Sequence, residues 1–277
     1  MDSNLPPEKP RALALLTDFG LADAFVGEMK GVIHGIAPDA RVIDLAHGVR
    51  AGAVREGAWV LSRAFDAFPP GTVFCAVVDP GVGGDRRGLV LEAGGYHFVG
   101  PDNGLLAAAA ERAAAGREIR AVEIALRELD RRRRGTTFDG RDLFAPTAAR
   151  LAAGLALAQV GPELEDWISL APFRPEAVGA DWEVEIVTSD RFGNLVTVAA
   201  EAFLRETFGE DWRGIRVRAG GREIEGVRFA YEEAAEGDLL LSIGGGGSLE
   251  ISANRGSARK LLRIGPGDRV LLRPPAA

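Results

Sequence analysis

Four apolar runs in this chain end in the same way, with an acidic residue set into a turn that carries glycine. They are Leu15-Leu16-Thr17-Asp18-Phe19-Gly20, Val77-Val78-Asp79-Pro80-Gly81-Val82-Gly83, Thr137-Phe138-Asp139-Gly140-Arg141-Asp142 and Ile186-Val187-Thr188-Ser189-Asp190-Arg191-Phe192-Gly193-Asn194. An apolar run broken by such a turn reads as a buried strand with an acid at its end. In the second run Pro80 has no N–H to continue a ladder, the glycines let the backbone turn sharply, and Arg86 follows close behind. A lone Asp before Pro-Gly usually does no more than cap its turn. Recurrence on several strand ends implies one shared pocket instead.

The runs sit in an alternating pattern. Apolar spacing predicts strands over 13–17, 41–45 and 72–78, and helices over 23–36 and 53–65, a rhythm that implies parallel strands joined by crossover helices. Residues 89–92 and 96–99, separated by Gly94-Gly95, read as a hairpin, 105–115 as an alanine-rich helix, and 144–157 as a helix that carries Pro146 in its tolerated first turn. After a stretch rich in Pro, Gly and acids at 161–180, short strands take over at 182–188, 195–198, 215–218, 239–243, 249–252 and 269–272. The expected fold is therefore α/β: a mixed α/β sandwich-type N-terminal domain over 11–172 and a smaller β-barrel-like C-terminal domain over 180–277, after a disordered lead at 1–10. The run Arg131-Arg132-Arg133-Arg134 reads as a solvated loop.

A chain of 277 residues has ample length for two cores. Its net charge of −7, without a basic stripe studded with aromatics, argues against a surface built for nucleic-acid phosphates and leaves small solutes as partners. The single cysteine, Cys75, lies in the apolar run Val73-Phe74-Cys75-Ala76-Val77, so it forms no internal disulfide and reads as a small core residue. The opening residues lack the basic-then-apolar order of a secretion signal, and no apolar stretch is long enough to span a bilayer as a helix, so a cytoplasmic location without membrane contact is expected.

Generic ligand motifs fit poorly. Gly81-Val82-Gly83-Gly84 follows a strand, but no Gly-Lys-Ser/Thr closes it and a strand-like segment rather than a helix comes next. Gly244-Gly245-Gly246-Gly247 suits either backbone N–H groups approaching a ligand or a plain hairpin. The three histidines, His34, His47 and His97, lack the paired spacing of a zinc site. An oxygen-only magnesium site from Asp18, Asp79 and Asp139 stays open as an alternative, although no metal is the expectation.

Taken together, Thr17-Asp18-Phe19-Gly20 with Asp23, Val78-Asp79-Pro80-Gly81-Val82-Gly83 with Arg86, Gly100-Pro101-Asp102-Asn103-Gly104, Thr137-Phe138 with Gly140-Arg141-Asp142-Leu143-Phe144-Ala145-Pro146, Asp190 with Phe192-Gly193-Asn194, and Ser248-Leu249-Glu250-Ile251 with Asn254 span nearly the whole chain. In that order they resemble the S-adenosyl-L-methionine (SAM) hydroxide adenosyltransferases, or SAM hydrolases, relatives of the SAM-dependent fluorinase and chlorinase. The resemblance implies a homotrimer with each site at a subunit interface, and SAM as substrate with no resident cofactor. It places Asp18 on the ribose hydroxyls, which suits a carboxylate because it accepts two O–H bonds at once. Asp23, Asp190, Phe192, Asn194, Ser248 and Glu250 fall at its other substrate-binding positions.

The implied reaction is attack of water or hydroxide on the ribose C5′ carbon, giving adenosine and L-methionine. In the family an Asp, Arg and His act on the water, and Asp79 and Arg86 occupy the first two places. Where the family has the His, this chain has Asp139. A carboxylate there accepts protons, and beside Asp79 it favours a shared proton unless Arg86 lies between them. Two functions follow: a SAM hydrolase in which Asp139 stands in for the histidine, or a non-catalytic protein that binds adenosine or SAM. Halide transfer is disfavoured, since in that branch the place of Asp79 is held by an aromatic hydroxyl residue and that of Gly52 by a tryptophan, and a carboxylate repels a halide.

Overall fold

The computed structural model describes residues 12–125 and 136–275; the lead at 1–10 and the run of four arginines lie outside the described residues. The chain divides into two compact units, with the division between Ala171 and Pro172.

In the first unit the described residues form a seven-stranded sheet. In chain order its strands are β1 (Ala12–Thr17), β2 (Arg41–Ala46), β3 (Val73–Val77), β4 (Gly88–Ala93), β5 (Tyr96–Pro101), β6 (Arg120–Glu123) and β7 (Glu163–Leu164). Their spatial order is β2-β1-β3-β5-β4-β6-β7. The first four in that order are parallel, and β4 turns back antiparallel on β5 as the Gly94-Gly95 hairpin requires. Helices cover both faces: α1 (Phe25–Ile36) packs on α4 (Ala145–Ala152), and α2 (Val54–Ala64) packs on α3 (Ala107–Ala114). A parallel strand covered on both sides has no solvent face, so β3 reads Val-Phe-Cys-Ala-Val with every residue buried. Alternation still sorts its side chains. Val73, Cys75 and Val77 join Leu13, Leu15, Met29, Ile33, Ala148 and Leu151 in one core. Phe74 stacks on Phe98 of β5 at 5.3 Å, among Phe65, Phe68 and Tyr96. Burial pushes the Cys75 thiol up to about 12, as befits a core residue rather than a nucleophile.

The helix expected over 144–157 is shorter. It ends at Ala152 because Gly154 takes a positive φ of 98°, which turns the chain so that the Leu155 N–H bonds back to the Arg150 carbonyl. Before it lies a single π-helical turn, Gly140–Phe144, that the sequence reading left out.

In the second unit the described residues form a nine-stranded sheet. Its strands are β8 (Glu176–Val178), β9 (Asp181–Ser189), β10 (Leu195–Ala200), β11 (Arg216–Ala219), β12 (Arg222–Glu225), β13 (Val227–Arg228), β14 (Leu239–Ile243), β15 (Ser248–Ala253) and β16 (Arg269–Arg273). They run in the order β12-β11-β16-β9-β10-β15-β14-β13, with β8 beside β9. β12 also packs against β14, so the sheet curls nearly into a barrel. Inside lie Val184, Ile186, Leu195, Val217, Leu241 and Leu249. Two short helices, α5 (Glu201–Phe208) and α6 (Ala258–Leu262), interrupt the strands. The four glycines 244–247 make a tight hairpin turn, with the Gly247 N–H on the Gly244 carbonyl at 2.8 Å.

Phe74 and Phe98 are both fully buried. Phe74→Ala should lower unfolding free energy by about 3–5 kcal/mol, read as a lower guanidinium midpoint at an unchanged slope.

Candidate active site

Topology places the first two acids. Chain order β1-α1-β2-α2-β3 with β1 between β2 and β3 sends α1 to one face and α2 to the other, so a crevice opens at the carboxyl ends of β1 and β3. Thr17 and Val77 are partners across that pair, and the next residues along each strand lead directly to Asp18 and Asp79. The Asn103 side chain steadies the second strand end, its amide donating to the Val78 carbonyl at 2.9 Å while its oxygen accepts from the Leu105 N–H at 3.1 Å.

The π-helical turn brings in the third acid. The Asp142 N–H reaches the Phe138 carbonyl and the Ala145 N–H the Gly140 carbonyl, so the chain from Phe138 to Ala145 holds one residue more than an α-helix would fit. Arg141 clamps it. The guanidinium binds Asp142 at 2.7 Å and Glu28 of α1 at 2.8 Å and lies over the Phe138 ring at 4.9 Å. Phe138, Phe19 and Phe25 then meet edge to face, with centroids 5.1–5.8 Å apart. These rings and Asp18, Asp79 and Asp139 line a cavity of about 440 Å³, within the usual size for a small-molecule site.

Arg86 joins two of the acids. Its Nε and Nη2 donate to the same oxygen of Asp79, Oδ2, at 2.9 and 2.5 Å, and Nη2 also meets Asp139 Oδ2 at 2.5 Å. The two carboxylates are nearly sealed from solvent, with side chains 4% and 3% exposed. The guanidinium also lies over the Phe144 ring at 5.2 Å. Burial works against its charge, but the hydrogen bonds and charges of the two carboxylates outweigh that and raise its pKa further. The arrangement leaves Asp79 Oδ1 buried without a hydrogen-bond partner among the described residues. Asp79 lines the cavity, and a buried carboxylate oxygen left without a partner is an acceptor still to be satisfied. Among the described residues no group of three His, Cys, Asp or Glu side chains is arranged to hold a metal ion, and the guanidinium already lies between Asp79 and Asp139.

Asp18 uses Oδ2 to accept the Gly52 N–H at 2.7 Å, which leaves Oδ1 for a ligand. Asp23 is exposed on the approach to α1 and is not part of the cavity wall. The remaining expected residues belong to the second unit. There Asp190 folds its own turn, accepting from the Phe192 and Asn194 N–H groups through Oδ1 and from the Asn194 side chain through Oδ2. Phe192 stands 76% exposed beside that turn. The Glu250 carboxylate packs where a side chain on Gly244 would be, and Ser248 Oγ is buried with no hydrogen-bond partner among the described residues. Burial, reinforced by the charge of Asp190, raises the Glu250 pKa above the ordinary carboxylate range.

The sequence reading missed the aromatic wall. Phe19 and Phe138 each adjoin a singled-out acid and Phe25 opens the next helix, a signal visible only once their elements are known to meet.

Two outcomes test these charges. Arg86→Met should cost about 3–5 kcal/mol at neutral pH by leaving two buried carboxylates face to face, and the deficit should shrink on acidification because a proton removes the repulsion. Denaturant curves at several pH values measure it. Glu250, with a raised pKa, contributes stability below its unfolded pKa that is lost as pH rises through its folded one. Glu250→Gln should therefore raise the melting temperature at neutral pH and leave it unchanged near about pH 3.

Residues 13–161 match the family model for the SAM hydroxide adenosyltransferase N-terminal domain, and residues 184–271 match that for the C-terminal domain. The chain is 42% identical over 262 residues to an (R)-S-adenosyl-L-methionine hydrolase of Salinispora tropica, covering 93% of this chain and 96% of the relative. It is 38% identical to one of Thermus thermophilus, covering 95% and 99%. A fluorinase of Nocardia brasiliensis is 28% identical over 177 residues, 56% of this chain and 58% of the relative. Among solved structures, an uncharacterized conserved protein from Thermotoga maritima superposes with a TM-score of 0.85 at 37% identity, covering 94% and 99% of the two chains. The chain belongs to the SAM hydroxide adenosyltransferase family.

Proposed function

We propose that this chain hydrolyses SAM to adenosine and L-methionine, with water attacking the ribose C5′ carbon in the cavity at the ends of β1 and β3. The observation that carries the reading is Asp79 on the cavity wall, with Arg86 occupying Oδ2 and Oδ1 left without a hydrogen-bond partner among the described residues. The relatives named as SAM hydrolases support the substrate.

In this reading Asp18 accepts from the ribose hydroxyls, with Oδ2 already steadied by the Gly52 N–H. Phe19, Phe25 and Phe138 shield the reacting carbon from bulk solvent. Asp79 Oδ1 accepts one proton of the attacking water and fixes its direction; the C5′–S bond breaks with its electron pair passing to sulfur. Methionine leaves as a neutral thioether, so the departure needs neither a proton donor nor a resident cofactor. The second water proton stays on the new 5′ hydroxyl of adenosine, and the one held by Asp79 passes to solvent when adenosine is released. Asp139 takes the histidine's place by accepting from Arg86 Nη2, the nitrogen that also binds Asp79. At the substrate-binding positions of the second unit, Asp190, Asn194, Ser248 and Glu250 are assigned to SAM with Phe192, and Asp23 joins them from the first unit. Carboxylates at these positions attract the sulfonium and ammonium charges of the substrate. The acidic Asp79 also sets the chain apart from halide transfer, since an anion would meet an unpartnered carboxylate oxygen.

Incubation with SAM in ¹⁸O-labelled water tests the reaction. Methionine and adenosine labelled at the 5′ oxygen are expected, with the rate falling on the order of 10²–10⁴-fold in Asp79→Asn. Intact SAM that is nevertheless retained by the protein would overturn hydrolysis in favour of a binding protein. Asp139→Asn should slow turnover by about tenfold or more while adenosine affinity stays the same. An equally fast variant would remove Asp139 from the mechanism. We extend the reading to a cytoplasmic homotrimer, for which sedimentation equilibrium should give three times the mass of one chain.

A further inference from the structure

We propose that His47 is a positioning residue for Asp18, acting on the turn that carries it from both sides. The inference rests on the reading that Asp18 holds the ribose. His47 follows β2 and is 6% exposed, and Thr17, the last residue of β1, is fully buried. His47 Nδ1 lies 2.8 Å from Thr17 Oγ1. The same Oγ1 accepts the Phe19 N–H at 3.2 Å. One residue further, the Gly20 N–H donates to the His47 carbonyl at 2.8 Å. The histidine thus grips residue 17 with its ring and residue 20 with its backbone, and Asp18 hangs between the two.

Proton placement makes the grip directional. Among the described residues Thr17 Oγ1 has no hydrogen-bond partner beyond His47 and Phe19. With the Phe19 amide donating to it, the hydroxyl's own proton turns to His47 Nδ1, which must then be the unprotonated nitrogen of the ring. The ring proton sits on Nε2, 3.1 Å from Asp44 Oδ1 in a contact too poorly aligned for a full hydrogen bond. Asp44 is held in turn by Lys30 of α1 at 2.7 Å. Burial favours the neutral form of Asp44, but the hydrogen bond and charge of Lys30, with the contact to His47, outweigh it and keep its carboxyl below the ordinary range, so the negative partner persists. The chain Lys30–Asp44–His47–Thr17 fixes the amide of Phe19, and with it the angle at which Asp18 meets the Gly52 N–H and the cavity. His47 touches neither cavity nor ligand; its effect passes through Thr17.

Titration calorimetry with adenosine tests this on the full chain. His47→Leu should bind adenosine about tenfold more weakly, the worth of one hydrogen bond of about 1.4 kcal/mol, while thermal unfolding shows it folded. His47→Asn, whose amide oxygen stands near the place of Nδ1, should recover most of the affinity. Thr17→Val, which also releases the Phe19 N–H, should weaken binding at least as much, and the double variant no more than Thr17→Val alone, because both remove the His47–Thr17 contact. In turnover, KM should rise with kcat nearly constant, since Asp79 and Arg86 are untouched; an equal fall in kcat would mark a merely structural role and overturn the proposal. Wild-type affinity in His47→Leu, or in Thr17→Val if the leucine variant does not fold, would also overturn it provided that Asp18→Ala loses binding. Wild-type affinity in Asp18→Ala, or no adenosine binding by the unaltered protein, would overturn the ribose assignment and this inference together.

Discussion

Arg86 is the interaction on which the first unit's cavity depends. Two carboxylates with side chains 4% and 3% exposed sit on separate elements, one after β3 and one before the π-helical turn, and neither has enough solvent to remain charged beside the other. The guanidinium removes that conflict and fixes their separation at the same time. Because it places two donors on one oxygen of Asp79, it produces an asymmetry: one oxygen accepts two hydrogen bonds and its twin has no hydrogen-bond partner among the described residues. Such an arrangement is poor economy for stability alone, since a pair of apolar side chains would fill the space without desolvating three charges. What it leaves at the cavity wall is a carboxylate with one oxygen unsatisfied among the described residues.

Around that centre the fold supplies direction. Parallel strands buried on both faces leave their backbone ends as the place where polar side chains can reach a cavity, and the reversal of connection at β1 opens the crevice there. Rigid strands carry Asp18 and Asp79, whereas Asp139 is placed by an irregular turn clamped by Arg141 between Glu28 and Asp142. The second unit works differently: its Asp190 ties up both oxygens in its own hairpin, so the turn's shape and the exposed Phe192 are fixed together.

Much of this was legible in the amino-acid order because strong local signals agreed with the final packing. The glycine turns after apolar runs located Asp18, Asp79 and Asp139, and Pro80 ended β3 within a residue of where the ladder stops. The parts that escaped had weak or conflicting local signals. β7 and β13 are two residues long and exist only through their neighbours. α5 carries a Glu201–Arg205 pair at helical spacing but sits among strand-like segments that dominate the pattern. The meeting of Phe19, Phe25 and Phe138 is tertiary, and no spacing along the chain contains it. Roles for Asp23, Asp190 and Ser248 came from family resemblance, and the shape of the turns alone would have left them as surface acids and a buried hydroxyl.

The π-helical turn at Gly140–Phe144 makes the site sensitive to chain length at a point where connections usually tolerate change. Each residue in an α-helix rotates the chain by about 100°, so the extra residue sets the bearing of everything before it relative to α4. Trimming one residue would turn the segment into continuous α-helix and swing Asp139 away from Arg86 by roughly that angle. The chemistry of the cavity is therefore written in a count of residues as much as in their identity, and a relative that lost this single position would keep every acid in its sequence and still lose the constellation.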